Sequence, residues 1–251
     1  MHLDALDKLC FKAMASHPFC DWSPFAQSAL EVAGILDIPT SILGRQRGCL
    51  HLWRRLRDSQ SYSERGLLAG VEPVSGLPRS LLDIFARIEE PQAALRFLQW
   101  PGELGSLLVC HLWEAYRIAG ALVAISMRAE THARDTPSAS GVPPAANLVN
   151  RLLASIAAVL ATGDDNIEHE KIMGTNILLY PIVTAATQRS VLEENSKWTE
   201  VVRGHFRQCA GSKYSPRVEL CWTLVEKLWQ REDNICIHEL ARQEGLEIGL
   251  F

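Results

Sequence analysis

No two of the seven cysteines stand in the close spacing of a thiolate cluster. Cys10, Cys20, Cys49, Cys110, Cys209, Cys221 and Cys236 contain no C-x-x-C spacing. That absence excludes the compact thiolate clusters of zinc fingers and ribbons. Most of the cysteines adjoin apolar residues, as in Leu9-Cys10-Phe11 and Val109-Cys110, and are expected as buried free thiols in a reducing compartment. An excess of positive charge is also missing: 25 Lys and Arg against 29 Asp and Glu leave a formal charge of -4. The chain as a whole therefore has no basic face for a nucleic acid, although a local basic patch stays open. The longest apolar runs, Ile118–Met127 and Ile177–Ala186, fall short of the ~18–20 residues a membrane-crossing helix needs, so no membrane partner is expected. The opening Met1-His-Leu-Asp-Ala-Leu-Asp-Lys lacks the basic start and long apolar stretch of a signal peptide. The nucleus is the expected location, with the cytoplasm as the alternative. Also absent are strand-type alternation, internal repeats and sustained heptads. There is no G-x-S-x-G, G-x-G-x-x-G, phosphate loop or H-E-x-x-H. No reaction is indicated, and the expectation is a non-enzyme with no catalytic residues, cofactor or metal.

What is present is helical periodicity in a chain of 251 residues with 47% hydrophobic and 22% charged residues. Leu3, Leu6, Leu9, Cys10 and Ala13 share a face over 3–15. A second helix is expected from Pro24 to Asp37, with Ser23 as its cap and Pro24 at its first position. Further helices are predicted over 48–58, 78–88, 89–100 and 104–131, the last apolar nearly all round and hence central to the core. Others are predicted over 147–162, 171–195 (kinked or split by Pro181), 197–209, 216–232 and 237–244, the last closed by Gly245. Residues 59–76 read as a long loop, and the Pro-, Ser- and Gly-containing stretch 132–145 as an internal flexible linker. The fold class expected is all-α: one irregular multi-helix bundle over 1–251.

Four constellations stand out. Arg45, Arg47, Arg54, Arg55 and Arg57, interleaved with His51 and Trp53, form a candidate polyanion or nuclear-import patch, or else a solvated helix face. His111, Glu114, Tyr116 and Arg117 put polar groups within two turns of the apolar central helix. They either line an effector pocket or are buried groups satisfied by neighbouring helices. His17 and Cys20, with Cys10 nearby, lack a fourth ligand and fit a packed turn better than a metal site. Glu168-His169-Glu170 and His238-Glu239 fit acid-enriched or amphipathic helix ends better than acid–base pairs.

Several stretches, in order, resemble the C-terminal regulatory domain of fungal zinc binuclear-cluster transcription factors. They are Asp37-Ile-Pro-Thr-Ser-Ile-Leu-Gly-Arg45, Gly76-Leu-Pro-Arg-Ser-Leu-Leu-Asp-Ile-Phe-Ala-Arg-Ile88 and Glu114-Ala-Tyr-Arg-Ile-Ala-Gly-Ala-Leu122. To these add Asn176-Ile-Leu-Leu-Tyr-Pro-Ile-Val-Thr-Ala-Ala186 and Leu224-Val-Glu-Lys-Leu-Trp-Gln-Arg-Glu-Asp233 with His238-Glu-Leu and Gly245. The resemblance implies an all-helical fold and a role in transcription through oligomerisation, activation or response to small effectors. The family's six-cysteine DNA-binding cluster has no counterpart here, and the likeness starts partway into the regulatory domain. The expected function is regulation through a protein partner, a homodimer or a small-molecule effector, without direct DNA contact. A helical enzyme or small-molecule binder of fungal secondary metabolism on the same scaffold is the rival.

Overall fold

Ser23 and Pro24 start the first described helix as their chemistry dictates. The Ser23 hydroxyl accepts the Ala26 N–H at 3.3 Å, and Pro24 takes a first-turn position where its missing N–H costs nothing. The structure is a computed structural model and describes residues 23–61, 69–131, 141–161, 177–212, 215–233 and 235–251. The expected helix over 3–15, the His17–Cys20 turn and the Glu168-His169-Glu170 trio lie outside these residues.

Eleven helices and two short strands make up the described chain: α1 (Pro24–Leu36), β1 (Ile42–Leu43), α2 (Leu52–Ser61), α3 (Arg79–Phe85), α4 (Ala93–Gln99), α5 (Leu107–Thr131), α6 (Ala145–Leu160), α7 (Leu179–Ala186), α8 (Arg189–Glu194), α9 (Ser196–Ser212), α10 (Pro216–Gln230), α11 (Ile237–Gln243) and β2 (Ile248–Gly249). The fold is all-α apart from that two-stranded antiparallel ladder, which pairs Ile42 with Gly249 and Leu43 with Ile248. Strands of two residues are too short to leave an alternating signature in the sequence.

The centre is α5. It packs along α6 and against α4 and α7, and α6 and α7 in turn meet α9. Among its residues Ala115, Tyr116, Ile118, Ala119 and Ala121 are 0% exposed, as an all-round apolar helix requires. Leu107–Ala129 is long and apolar enough to cross a bilayer by length and composition, and 67% of its apolar window is buried against the other helices. At Gly120 the α4 ring of Phe97 comes so close that a Cβ there would lie 2.5 Å from it. Leu81, Leu82 and Phe85 of α3 and Leu152, Ile156 and Val159 of α6 complete this part of the core.

The indole N–H groups show how the buried polar atoms are satisfied. Trp53 donates to the Asp83 carboxylate at 2.8 Å, Trp100 to the Ser80 hydroxyl at 3.0 Å, Trp113 to the Gly76 carbonyl at 2.8 Å and Trp229 to the Ala186 carbonyl at 2.9 Å.

Some boundaries differ from the sequence reading. Residues 171–176 of the expected helix lie outside the described residues, and over 177–195 Pro181 does not kink a long helix. It falls in the first turn of α7, where backbone N–H groups have no helical acceptor anyway. The break comes later, at Thr187 and Gln188 between α7 and α8. Residues 59–61 close α2 instead of opening a loop, and Ala145 belongs to α6, not to the linker; residues 132–140 lie outside the description. Gly245 ends α11 as expected. Its φ is +67°, and the Leu246 N–H donates to the Ala241 carbonyl at 2.9 Å in a Schellman closure.

His238 on α11 ties the last helix to the ladder by donating to the Ile42 backbone. Burial pushes its imidazole down from 6.5 to about 4, and the charges of Arg242 and Arg45 add to the shift. The folded chain keeps this ring neutral where the unfolded chain has already taken up a proton. The associated stability is present above pH 6.5 and is lost as pH falls from 6.5 to about 4. The loss corresponds to about 3 kcal/mol. Urea unfolding across that window is expected to show the decline, and His238→Gln to reduce it.

Candidate functional site

The arginine run folds into two different settings. Arg45 turns inward: its guanidinium donates to the Leu36 carbonyl at 2.6 Å, the Ile38 carbonyl at 3.1 Å and the Ser41 hydroxyl at 3.1 Å. It thereby caps the end of α1, where carbonyls lack partners, and stands 3.7 Å from Asp37. Asp37, 2% exposed, accepts the Leu50 N–H at 3.0 Å and the Leu52 N–H at 2.9 Å. Asp37 thus ends α1 through its backbone N–H and opens α2 through its carboxylate. Between these amides His51 adopts a φ of +55°, in the left-handed region a non-glycine residue seldom enters.

Along α2 the arginines meet acids from α3 and the turn after it. Arg57 grips Asp83 with two parallel bonds of 2.8 and 2.9 Å and donates to Gln60 at 2.7 Å. Its guanidinium also lies 5.9 Å from the Trp53 ring centroid. Arg54 pairs with Glu90 at 3.6 Å, and Arg87 lies 3.5 Å from Glu90 and 3.8 Å from Asp58. Trp53, Arg54, Arg57, Asp58, Asp83, Ala86 and Arg87 line a surface cleft of about 260 Å³. Burial acts to raise the Glu90 pKa, but the hydrogen bond and charge of Arg96, with Arg87, hold it below its ordinary value. The cleft is thus a lattice of alternating charges and not a basic surface. Arg47 and Arg55 are exposed, and neither is without an interaction partner.

The polar residues of α5 divide in the same way. Residues 114 and 116 sit two positions apart, about 200° around the helix, and so face different neighbours. Tyr116 is 0% exposed; its hydroxyl donates to the Ile177 carbonyl at 2.5 Å, and its ring stacks on Tyr180 at 5.6 Å. Glu114 lies in the seam between α5 and α6, half-buried. It accepts two bonds from Arg117, of 2.7 and 2.8 Å, and one of 2.7 Å from Arg151. Arg117 also reaches the α4 carbonyls of Phe97 at 3.3 Å and Leu98 at 2.8 Å. Burial of Glu114 acts to raise its pKa, but Arg117 and then Arg151 hold the carboxyl below its usual range. His111, half-buried, stands one turn before Glu114. Glu114 and Arg117 therefore meet as an ion pair that joins three helices, while Tyr116 belongs to the core.

No group of three or more metal-ligating side chains occurs among the described residues. The described cysteines are all free. Burial pushes the thiols of Cys209 and Cys221 up to about 12 and that of Cys49 to about 11, far from the reactive thiolate range. The buried pair the sequence reading missed is Glu31 with Arg79. Arg79 donates to both Glu31 oxygens, at 2.7 and 2.8 Å, and to the Val71 carbonyl at 3.0 Å. The two residues stand 48 positions apart, and no local spacing announces them. Exposed apolar side chains include Phe25 at 83% and Leu36 at 41% on α1, and Leu104 at 101% and Leu107 at 76% around the start of α5. Compared with family models, curated proteins and solved structures, the chain matches none.

Proposed function

We propose that the chain is a transcription-regulatory domain of the fungal zinc-cluster factor type that works through protein contacts or effector binding, without reading DNA itself. The observation that carries this reading is the split between its charged and apolar surfaces. Three of the five arginines of the run, the natural candidate for a phosphate backbone, are paired with acids: Arg45 with Asp37, Arg57 with Asp83 and Arg54 with Glu90. Phosphate contacts would require those ion pairs to be broken first. Apolar side chains, by contrast, stand open on α1, at Phe25 and Leu36, and around the start of α5, at Leu104 and Leu107, where a protein partner could cover them. The ordered likeness to the fungal regulatory domain, from Asp37 through Gly245, supports the transcriptional context.

The rival reading, a helical enzyme, calls for His111, Glu114 and Tyr116 to converge on one pocket. Tyr116 and Glu114 point to different neighbours, and no observation favours that reading. A gel-shift titration of the purified chain against mixed-sequence and promoter DNA tests the proposal. Retardation is expected to be absent or weak, non-selective and abolished by moderate salt. Tight, sequence-selective retardation would overturn it.

A further inference from the structure

Residues 246–251 leave α11 at the left-handed Gly245 and run as a strap beside β1. The strap is held by the two paired positions of the ladder and by two further bonds. The Leu250 N–H donates to the Ser41 carbonyl at 2.8 Å, and the Gln46 N–H to the Glu247 carboxylate at 2.8 Å. At its end the Phe251 ring enters an aromatic cage. Its centroid lies 5.6 Å from Phe85 of α3, 5.3 Å from Tyr116 of α5 and 5.0 Å from Tyr180 of α7.

The cage does not depend on the strap for its shape. The Tyr116 hydroxyl is anchored on the Ile177 carbonyl, and the Tyr180 hydroxyl donates to Thr40 Oγ1 at 3.3 Å. Phe85 stands edge-on to Phe97 at 4.7 Å, and the two tyrosine rings lie nearly parallel, 8° apart. These three walls are at most 1% exposed, whereas Phe251 is only half-buried. Phe251 is thus the least buried residue of the cluster. Walls fixed from behind leave a hole when the ring departs, and an apolar hole of that kind takes up aromatic guests.

We infer that the Phe251 ring occupies a binding site for a small planar aromatic molecule, which enters by displacing the strap. Ring faces and edges from Phe85, Tyr116 and Tyr180 supply the contact geometry aromatic guests prefer. Both tyrosine hydroxyls are already spent, so a charged ligand would find no partner there. Release of Leu250 frees the Ser41 carbonyl one residue from the ring, which suits a ligand with a single N–H or O–H donor. This names the ligand class for the effector-binding part of the proposed function and rests on that reading for its biological use. Binding is read without any transcription assay, so the two fail separately.

Indole is the probe, titrated into the full chain and into Phe251→Ala. The variant is expected to melt lower than the parent and to regain roughly 5 °C at saturating indole. In the parent, indole is expected to bind more weakly and to speed amide exchange at Leu250. A folded Phe251→Ala chain whose melting indole leaves unchanged overturns the inference. So does a parent chain whose Leu250 exchange is the same with and without indole. Should the alanine variant not fold, Phe251→Leu replaces it and the parent's exchange measurement decides.

Discussion

Arg79→Ala is expected to lower the stability of the fold by about 3–5 kcal/mol, because it strands a buried carboxylate. Glu31 is 3% exposed and Arg79 5%, and the guanidinium supplies both of its bonds to Glu31 through the fork geometry of a bidentate pair. The same guanidinium holds the Val71 carbonyl, so its loss also loosens the turn before α3. That hydrogen bond with Glu31 raises the Arg79 pKa against the opposing effect of burial. Urea denaturation followed by tryptophan fluorescence measures the effect. The double variant Glu31→Leu/Arg79→Met is expected to be much closer to the parent than Arg79→Ala. Removing both charges removes the desolvation cost together with the pair. Equal losses in the single and double variants would show that packing around Arg79, not charge, sets its importance.

Gly44→Ala is expected to cost about 4 kcal/mol, part from strain and part from collision. Gly44 has a φ of +69°, a conformation that penalises any residue with a Cβ. The added Cβ would lie 2.1 Å from the Leu246 carbonyl oxygen and 2.8 Å from the Ala241 Cβ. The first obstacle is backbone and cannot rotate away, so the strap must move off β1. Gly249→Ala, on the facing strand, meets nothing within 4 Å and serves as the control. It is expected to leave the urea midpoint nearly unchanged. Amide exchange at Leu250 separates the two: fast in Gly44→Ala, slow in Gly249→Ala.

The features legible in the sequence were those set by local chemistry. Ser23-Pro24 announces the start of α1 and Gly245 the end of α11, because caps act over three or four residues. The all-round apolar character of 107–131 announces a central helix, because only the core accepts such a surface. What sequence could not supply was the partner of each charge. Arg57 and Asp83 are 26 positions apart, and nothing in the spacing of the arginines shows that acids from α3 neutralise them. For His111, Glu114, Tyr116 and Arg117, closeness in the chain leaves open a shared pocket or separately satisfied groups. A rotation of 100° per residue sends Tyr116 into the core and leaves Glu114 and Arg117 at the seam with α6. The ladder between β1 and β2 joins distant pairs of residues and left no periodic trace.

The central claim, a regulatory domain that acts on transcription without reading DNA, is tested most directly by supplying the DNA contact from outside. The chain is fused to an unrelated DNA-binding module and expressed in a fungal host carrying a reporter with that module's site. Tethering is expected to raise or lower reporter output relative to the module alone, while the untethered chain at equal abundance leaves it unchanged. A folded, nuclear fusion that leaves reporter output at the level of the module alone would contradict the account.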